Sequence, residues 1–347
     1  MGEKQTRIKY FTWLRAISCI AIVFLHTFYC AVRLFRPGGM EETGSLIVRN
    51  CMIFAVPCFV MVTGALLLNP GKTVTVRSIF QKYLRRILIA LVVFTFIFAL
   101  FDRIVDHQGG GAADLVIRYL KALITDGSWL HMWYLYMLIG LYLMLPLYRI
   151  FVRYASDKEL RYLLILFLVF QSMVPTVEMA AGGSSGFYIL VYTIYPLYAF
   201  LGYAIHYEKI RISLPAAVLM LVIGTCGLIV ITWFGWSAGL DNLQSLASSY
   251  SCILSVLQAV GVFSLMKRTE SLRMNASGRI LQALDGCSFG IYLIHVLVLY
   301  IIYRVFRFNP YLHGGLAVLV VLALITLAVS WAVIRLLKFI PGVKQIL

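Results

Sequence analysis

Charged side chains are scarce in this sequence. Asp, Glu, Lys and Arg make up 13% of the 347 residues, whereas soluble domains carry roughly 25%. Hydrophobic residues account for 62%. This leaves too little polar surface to cover a water-soluble globule, so lipid must solvate much of the chain. The composition excludes a soluble enzyme and indicates an integral membrane protein.

Patterns typical of other chemistries are also missing. None of the seven cysteines forms a CxxC pair, and all lie in or beside apolar stretches, as small buried side chains do. The net charge of +16 falls in short clusters between apolar runs, without the basic tail of a nucleic-acid-binding protein. Residues 182–186 match G-x-S-x-G by letter but follow no strand, so no nucleophile elbow is expected. We predict no metal site, no tightly bound cofactor and no nucleic-acid partner.

Apolar runs of about 20 residues, the length that crosses a bilayer, recur along the chain. They predict an all-α integral membrane fold, a polytopic bundle of about ten transmembrane helices in one domain over residues 1–347. The first run lacks a small-residue cleavage site, so we interpret it as a span and not as a signal peptide. Segment 113–126 is too short to cross and is a candidate interfacial helix. The predicted spans are 10–34, 46–68, 84–101, 129–149, 162–177, 187–205, 213–233, 246–266, 285–306 and 314–337.

The distribution of Lys and Arg predicts the orientation. With the N-terminus in the cytoplasm, 22 of the 30 basic residues fall in cytoplasmic segments and 8 outside. Basic residues concentrate in cytoplasmic loops of membrane proteins. Both ends of the chain are therefore predicted to lie in the cytoplasm.

Ionisable side chains inside apolar spans are costly and mark candidate functional sites. His26 lies deep in the first span, and Arg15 precedes it by 11 residues. This spacing is close to three helical turns and a rise of about 16 Å, so the two side chains share one face. The alternative interpretation is a snorkelling arginine and a structural, hydrogen-bonded histidine.

Other candidates lie in three further spans. In the ninth span, Ser288, Tyr292 and His295 follow helical spacing and form a polar stripe, which either lines a ligand site or joins two helices. Lys82, Arg85 and Arg86, at the predicted start of the third span, suit phosphate binding, although topology alone also explains basic residues there. At the predicted outer rim of the fourth span, interfacial anchoring accounts for Trp133 but leaves His131 unexplained.

These motifs together resemble the acyltransferase 3 family of membrane acyltransferases. Arg15 and His26 resemble its Arg-x10-His motif. Segments 57–64, 82–86, 131–134 and 288–295 resemble its Pro-x-Phe-Phe-x-x-Ser-Gly, basic, His-Leu-Trp-Phe and Ser-Tyr-Gly-x-Tyr-Leu-x-His motifs, in the family's order. The departures are Cys58, Thr63, Lys82 and Phe289. Each motif is weak alone, and five in register are specific.

The resemblance implies an O-acyltransferase of the bacterial cytoplasmic membrane. Its donor would be acetyl-CoA or another acyl-CoA, and its acceptor a hydroxyl of an envelope glycan, a lipid-linked sugar or a small molecule. Some relatives carry an extracytoplasmic SGNH domain, and this chain resembles the stand-alone type. A related membrane domain is fused to a racemase in some vancomycin-resistance proteins, where it is associated with serine supply. Transport of a small polar solute, such as an amino acid, therefore stays open as the alternative.

The acyl-transfer hypothesis gives each candidate residue a role. His26 is the expected general base, since a neutral imidazole can take the proton of the acceptor hydroxyl. His295 and Tyr292 would support it as donors to the oxyanion. Basic groups would hold the donor's phosphates, with the acceptor guided from the opposite side. The residues expected to bind the donor are Arg15, Lys82, Arg85, Arg86 and Ser288, and those on the acceptor side are His131 and Trp133.

Overall fold

A computed structural model describes residues 8–107, 109, 111–125, 127–186, 191, 193–272, 276–344 and 346. Within these residues every regular element is a helix. Eight helical segments, one of which runs from Gly39 through a turn at residues 52–54 to Leu67, are long and apolar enough to cross a bilayer. This confirms a polytopic helical membrane protein. In the first half of the chain the helices are α1 Lys9–Phe35, α2 Gly39–Cys51, α3 Ala55–Leu67, α4 Val76–Val105, α5 Ala112–Thr125, α6 Trp133–Tyr154 and α7 Asp157–Ala181. In the second half they are α8 Tyr195–His206, α9 Leu214–Ser237, α10 Asp241–Ala247, α11 Ile253–Lys267, α12 Ala276–Asp285, α13 Ser288–Val305, α14 Leu316–Leu337 and α15 Pro341–Lys344.

Two of the ten predicted spans correspond to short helices. The predicted spans 187–205 and 246–266 overlap α8 and α11, which have 12 and 15 residues. Residues 187–190 and 192 of the first of these spans lie outside the described residues. A span needs about 20 residues, so the count of ten, like the orientation, stays a prediction. Both helices are largely buried within the bundle.

Several helices extend beyond the apolar windows that predicted them. The predicted span 162–177 lies inside α7, which begins at Asp157 behind a capping box formed by Ser156 and Glu159. The predicted span 84–101 lies inside α4, so the basic cluster 82–86 is within a helix instead of at its start. A hydropathy window leaves charged residues in the terminal turns of a helix outside the predicted span, although these residues are helical. The predicted span 46–68 is broken at residues 52–54, between α2 and α3. Segment 113–126 is helical as α5 up to Thr125, with residue 126 outside the described residues, and its interfacial position stays a prediction.

Helix α1 forms the centre of the bundle. It contacts α2, α3, α11, α12, α13 and α14, and most of its side chains are buried. Helix α3 is fixed beside it by a close crossing with α8. A Cβ atom added to Gly64 would lie 2.0 Å from the Ala199 carbonyl oxygen, and one added to Gly202 would lie 2.0 Å from that of Met61. The two backbones therefore touch, which only glycine permits at these positions.

Candidate active site

Three histidines from distant parts of the sequence meet inside the bundle. His26 of α1 and His295 of α13 are joined by a hydrogen bond of 2.9 Å between His26 Nδ1 and His295 Nε2. The ring centroid of His131 lies 6.1 Å from that of His26 and 5.4 Å from that of His295. All three side chains are buried. The packing of α1 against α13, with the turn before α6 beside them, creates the cluster.

The sequence predicted His131 at an outer rim, whereas its side chain is buried inside the bundle; its side of the membrane stays a prediction. His131 is 1% exposed. Residues 129–132 form a turn leading into α6 and not the first turn of a span. This turn carries His131 against α13, where its Nε2 lies 3.4 Å from the Leu293 carbonyl oxygen. The hydroxyl of Tyr292 also donates to the His131 carbonyl. Both the backbone and the side chain of His131 are therefore held against α13.

The hydrogen bonds define which nitrogen of His26 can accept a proton. His295 Nδ1 donates to the Ile291 carbonyl oxygen at 3.0 Å, since a carbonyl can only accept. In the neutral ring, His295 Nε2 is then the acceptor and receives the hydrogen on His26 Nδ1. His26 Nε2 consequently carries a lone pair. Positive charges on adjacent buried rings would repel one another, so neutral rings are the expected resting form.

A cavity of about 610 Å³ runs from the basic end of the bundle toward the histidines. Its inner end is lined by Ile22, Tyr134 and Tyr292. The Tyr292 ring lies 5.5 Å from that of His131 and 6.2 Å from that of His295, so the cavity ends one side chain from the cluster. Most of the predicted donor-binding side chains also line it. These are Arg15, Lys82, Arg86 and Ser288.

Arg15 lines the cavity but is paired with a carboxylate that sequence reasoning missed. Its Nε and Nη2 atoms donate to the two carboxylate oxygens of Asp285 at 2.7 and 2.9 Å. Asp285 is the last residue of α12 and is 8% exposed. Ser288 belongs to the same corner, since its hydroxyl donates to the Asp285 carbonyl at 2.9 Å. Asp285 stands three residues before Ser288, a helical spacing that could have joined it to the predicted polar stripe.

The basic cluster of α4 divides between the cavity and the surface. Arg86 lies over the ring of Phe289, 4.5 Å from its centroid, and its Nε donates to the Ile346 carbonyl at 2.9 Å. Lys82 is exposed at the entrance. Arg85, predicted to bind the donor, is exposed and is not among the described residues that line the cavity. The side of α4 that lines the cavity carries Lys82, Tyr83, Arg86 and Ile87, and Arg85 points about 100° away from Arg86 around the helix.

Further cations surround this entrance. Burial, followed by the nearby charges of Lys82 and Arg149, lowers the pKa of Lys72, which lies in the loop between α3 and α4. Mutual repulsion of this kind marks a dense positive field. Such a field suits a polyanionic ligand, because its binding relieves the repulsion.

Trp133 lies in an aromatic cluster beyond the inner end of the cavity. Its ring centroid is 5.9 Å from that of Tyr195 and 5.5 Å from that of Tyr250. Tyr134 connects this aromatic cluster to the cavity, with its ring 5.3 Å from that of Tyr292. Tyr134 lies in the motif segment 131–134, whereas no sequence pattern marks Tyr195 or Tyr250. Nothing in the sequence brings these helices together.

In the described part of the chain, no three His, Cys, Asp or Glu side chains are grouped as metal ligands. The arrangement is instead a cavity with cations at one end and, one side chain beyond its other end, three buried histidines. It suits a long anionic ligand whose far end undergoes proton-transfer chemistry.

Comparison with known families adds an independent finding. The model of the Acyl_transf_3 family, described as an acyltransferase domain, matches residues 8–335, nearly the whole chain. No curated protein and no solved structure matches the chain.

Proposed function

This chain belongs to the Acyl_transf_3 family and is a multi-pass membrane acyltransferase, and from that premise we propose its donor, acceptor and location. It transfers an acetyl group from acetyl-CoA to a hydroxyl of an envelope glycan, a lipid-linked sugar or a small acceptor. The reaction takes place in a bacterial cytoplasmic membrane. The observation that carries the proposal is the cavity between a basic entrance and the His26–His295 pair.

The entrance accounts for the choice of donor. Lys82 and Arg86 line the cavity at the end where Arg15 begins the polar face of α1. Guanidinium and ammonium groups bind the phosphates of coenzyme A through charge-assisted hydrogen bonds. The rise from Arg15 to His26 is about 16 Å, which resembles the length of a pantetheine arm. The thioester would then lie near Tyr134 and Tyr292 while the phosphates stay at the entrance.

His26 is the proposed general base. Its Nε2 carries the lone pair, and no described residue hydrogen-bonds to that atom. The acceptor hydroxyl oxygen forms a bond to the thioester carbonyl carbon as His26 Nε2 takes the hydroxyl proton. Collapse of the tetrahedral intermediate breaks the carbon–sulfur bond, and the thiolate takes that proton to leave as coenzyme A. His295 holds His26 in the required tautomer and is a positioning residue.

The oxyanion needs a donor that is not already engaged. The Tyr292 hydroxyl donates to the His131 carbonyl, so the structure gives it a positioning role. Tyr134 lines the same end of the cavity, and its hydroxyl makes no hydrogen bond to a described residue. We therefore assign Tyr134 as the oxyanion donor. Preorganised donors of this kind contribute about 3–4 kcal/mol to acyl transfer.

The rival function is transport of a small polar solute past the same histidines. A transporter has no need of a phosphate site joined to a cavity of this depth, so the cavity favours the enzyme. The discriminating experiment incubates the purified chain with acetyl-CoA labelled in the acetyl group and with an envelope extract. Label that moves to a hydroxyl-bearing acceptor supports acyl transfer. Solute uptake into proteoliposomes without acetyl-CoA binding or label transfer would support the transporter.

A further inference from the structure

A partly buried arginine lies on the side of the histidines opposite the cavity. Arg49 is in the last turn of α2, next to the break that separates α2 from α3. Its Cζ atom lies 5.1 Å from the ring centroid of Tyr29. Tyr29 follows His26 by three residues on α1, a rise of about 4.5 Å. Arg49 therefore lies on the side of His26 away from Arg15, close enough to interact with it electrostatically.

No described carboxylate pairs with this charge. Arg49 Nη1 donates to the amide oxygen of Asn50, and its buried Nε makes no hydrogen bond to a described residue. Asn50 is neutral and is itself fixed by a 2.8 Å hydrogen bond from its Nδ2 to Thr232 Oγ1. The last turn of α2 supplies at most about half a negative charge. Desolvating a guanidinium without a counter-ion is costly, so the site calls for an anion from outside the protein.

Other arginines show how this protein treats partly buried guanidinium groups. Arg15 pairs with Asp285 at 2.7 Å, and Arg304 pairs with Asp102 at 2.7 Å. Arg149, also partly buried, donates instead to three backbone carbonyls. Arg49 has only the Asn50 amide oxygen as a hydrogen-bond partner among the described residues, although it lies close to the proposed chemistry.

The surroundings of Arg49 suit a polar ligand. Tyr250 and Tyr29 are its electrostatic neighbours, and Tyr250 belongs to the aromatic cluster with Trp133, Tyr134 and Tyr195. The hydroxyls of Tyr195 and Tyr250, which the proposed reaction does not use, make no hydrogen bond to a described residue. Such hydroxyls are available to bind the hydroxyl groups of a ligand that lies between Arg49 and the end of the cavity.

We propose that Arg49 binds an anionic group, a carboxylate or a phosphate, of the molecule that accepts the acyl group. This inference rests on the proposed function and specifies its substrate class. Because Arg49 is close enough to interact electrostatically with His26, the anionic group and the reacting hydroxyl belong to one compact unit. Hydroxy acids, uronic acids and sugar or glycerol phosphates have this form, and neutral sugars do not.

The test compares pairs of compounds that differ in one anionic group. The full chain is placed in nanodiscs of phosphatidylcholine, and titration calorimetry gives the Kd of glycerol 3-phosphate against glycerol and of galacturonate against galactose. We expect at least one anionic compound to bind about ten- to a hundredfold more tightly than its neutral partner. The phosphate and carboxylate pairs show which anion the site takes. Equal binding within both pairs, or no binding of any of the four, overturns the proposal.

Variants assign the preference to one side chain. Arg49→Gln should remove it, while Arg33→Gln, at an exposed arginine near the end of α1, should retain it. A preference that survives Arg49→Gln, or that Arg33→Gln removes equally, contradicts the assignment. Arg49→Met gives the same comparison if the glutamine variant does not fold.

The same preparations separate this inference from the proposed function, because binding of these compounds does not require acetyl-CoA. An anion preference that depends on Arg49, without acetyl transfer to any acceptor, would contradict the proposed acetyl transfer and support the anion site. Acetyl transfer with equal binding of neutral and anionic compounds would support the proposed acetyl transfer and contradict the anion site.

Discussion

His295 Nε2 accepts a 2.9 Å hydrogen bond from His26 Nδ1, which joins α13 to α1 across 269 positions of sequence. The Ile291 carbonyl orients His295, and His295 in turn orients His26. The pair leaves one nitrogen, His26 Nε2, to accept the proton of the acceptor hydroxyl in the proposed reaction.

Loss of the orienting histidine should affect turnover more than donor binding. His295→Leu removes the acceptor of the His26 Nδ1 hydrogen, so His26 loses its fixed tautomer. We expect kcat to fall by about tenfold, the worth of one neutral hydrogen bond, while the Kd of acetyl-CoA is unchanged. Acetyl-transfer kinetics with donor titration on one preparation measures both. A proportional rise in Kd would assign His295 to the donor site instead.

Arg86 and Arg85 provide a matched pair of variants at the entrance. Arg86 lines the cavity and Arg85 does not. Arg86→Ala should weaken acetyl-CoA binding by about 1.5–3 kcal/mol, or ten- to a hundredfold, the worth of a charge-assisted contact. Arg85→Ala removes the same charge from the exposed face and should cost far less. Equal losses in calorimetric titrations would mean that only the overall positive field matters, and unchanged affinity in both would assign the cluster to topology alone.

The ion pair of Arg15 and Asp285 should show strong coupling in stability. Asp285 has a side chain 3% exposed and Arg15 one 27% exposed. Asp285→Ala leaves a partly buried guanidinium unpaired, which costs up to about 3–5 kcal/mol. The double variant Arg15→Ala/Asp285→Ala should recover part of that loss. Thermal unfolding of the purified variants provides the stabilities for this double-mutant cycle. Additive losses of stability would show that the two side chains do not stabilise each other.

The membrane orientation can be tested with reporter fusions. Reporters placed after Glu41, Gly183, Asp241 and Pro310 should report the outside of the membrane, and so should one after Gly110. Reporters at the two termini should report the cytoplasm. The reason is the 22 to 8 division of basic residues between the two sides. A cytoplasmic signal from any of the five loops would overturn the map of ten spans.

Much of the fold could be predicted because hydropathy is local. Apolar runs locate α1, α4, α6 and α9 to within a few residues at one end or both. The break between α2 and α3 could not be predicted, since residues 52–54 are as apolar as their neighbours. The shortness of α8 and α11 was equally invisible, because burial by other helices and solvation by lipid select the same side chains.

The sequence predicts which residues form the candidate site better than it predicts how those residues are arranged. A histidine inside an apolar span is conspicuous, so His26 and His295 could be identified from sequence alone. Their contact, the burial of His131 and the pairing of Arg15 with Asp285 depend on tertiary packing, which no spacing along the chain encodes. From the sequence, Arg49 is only one of the eight basic residues predicted to lie outside. Its lack of a carboxylate partner among the described residues shows only once the helices are assembled.

The most direct test of the account is acetyl transfer by His26→Ala. Purified wild type and variant, at equal protein concentration, are incubated with labelled acetyl-CoA and envelope extract, and the Kd of acetyl-CoA is measured in parallel. We predict that transfer falls by about 10²–10⁴-fold, the usual worth of a positioned base, while donor affinity stays within twofold of wild type, a change of only about 0.4 kcal/mol. Transfer at the wild-type rate, or a loss of donor affinity that matches the loss of transfer, would contradict the assignment of His26 as the general base.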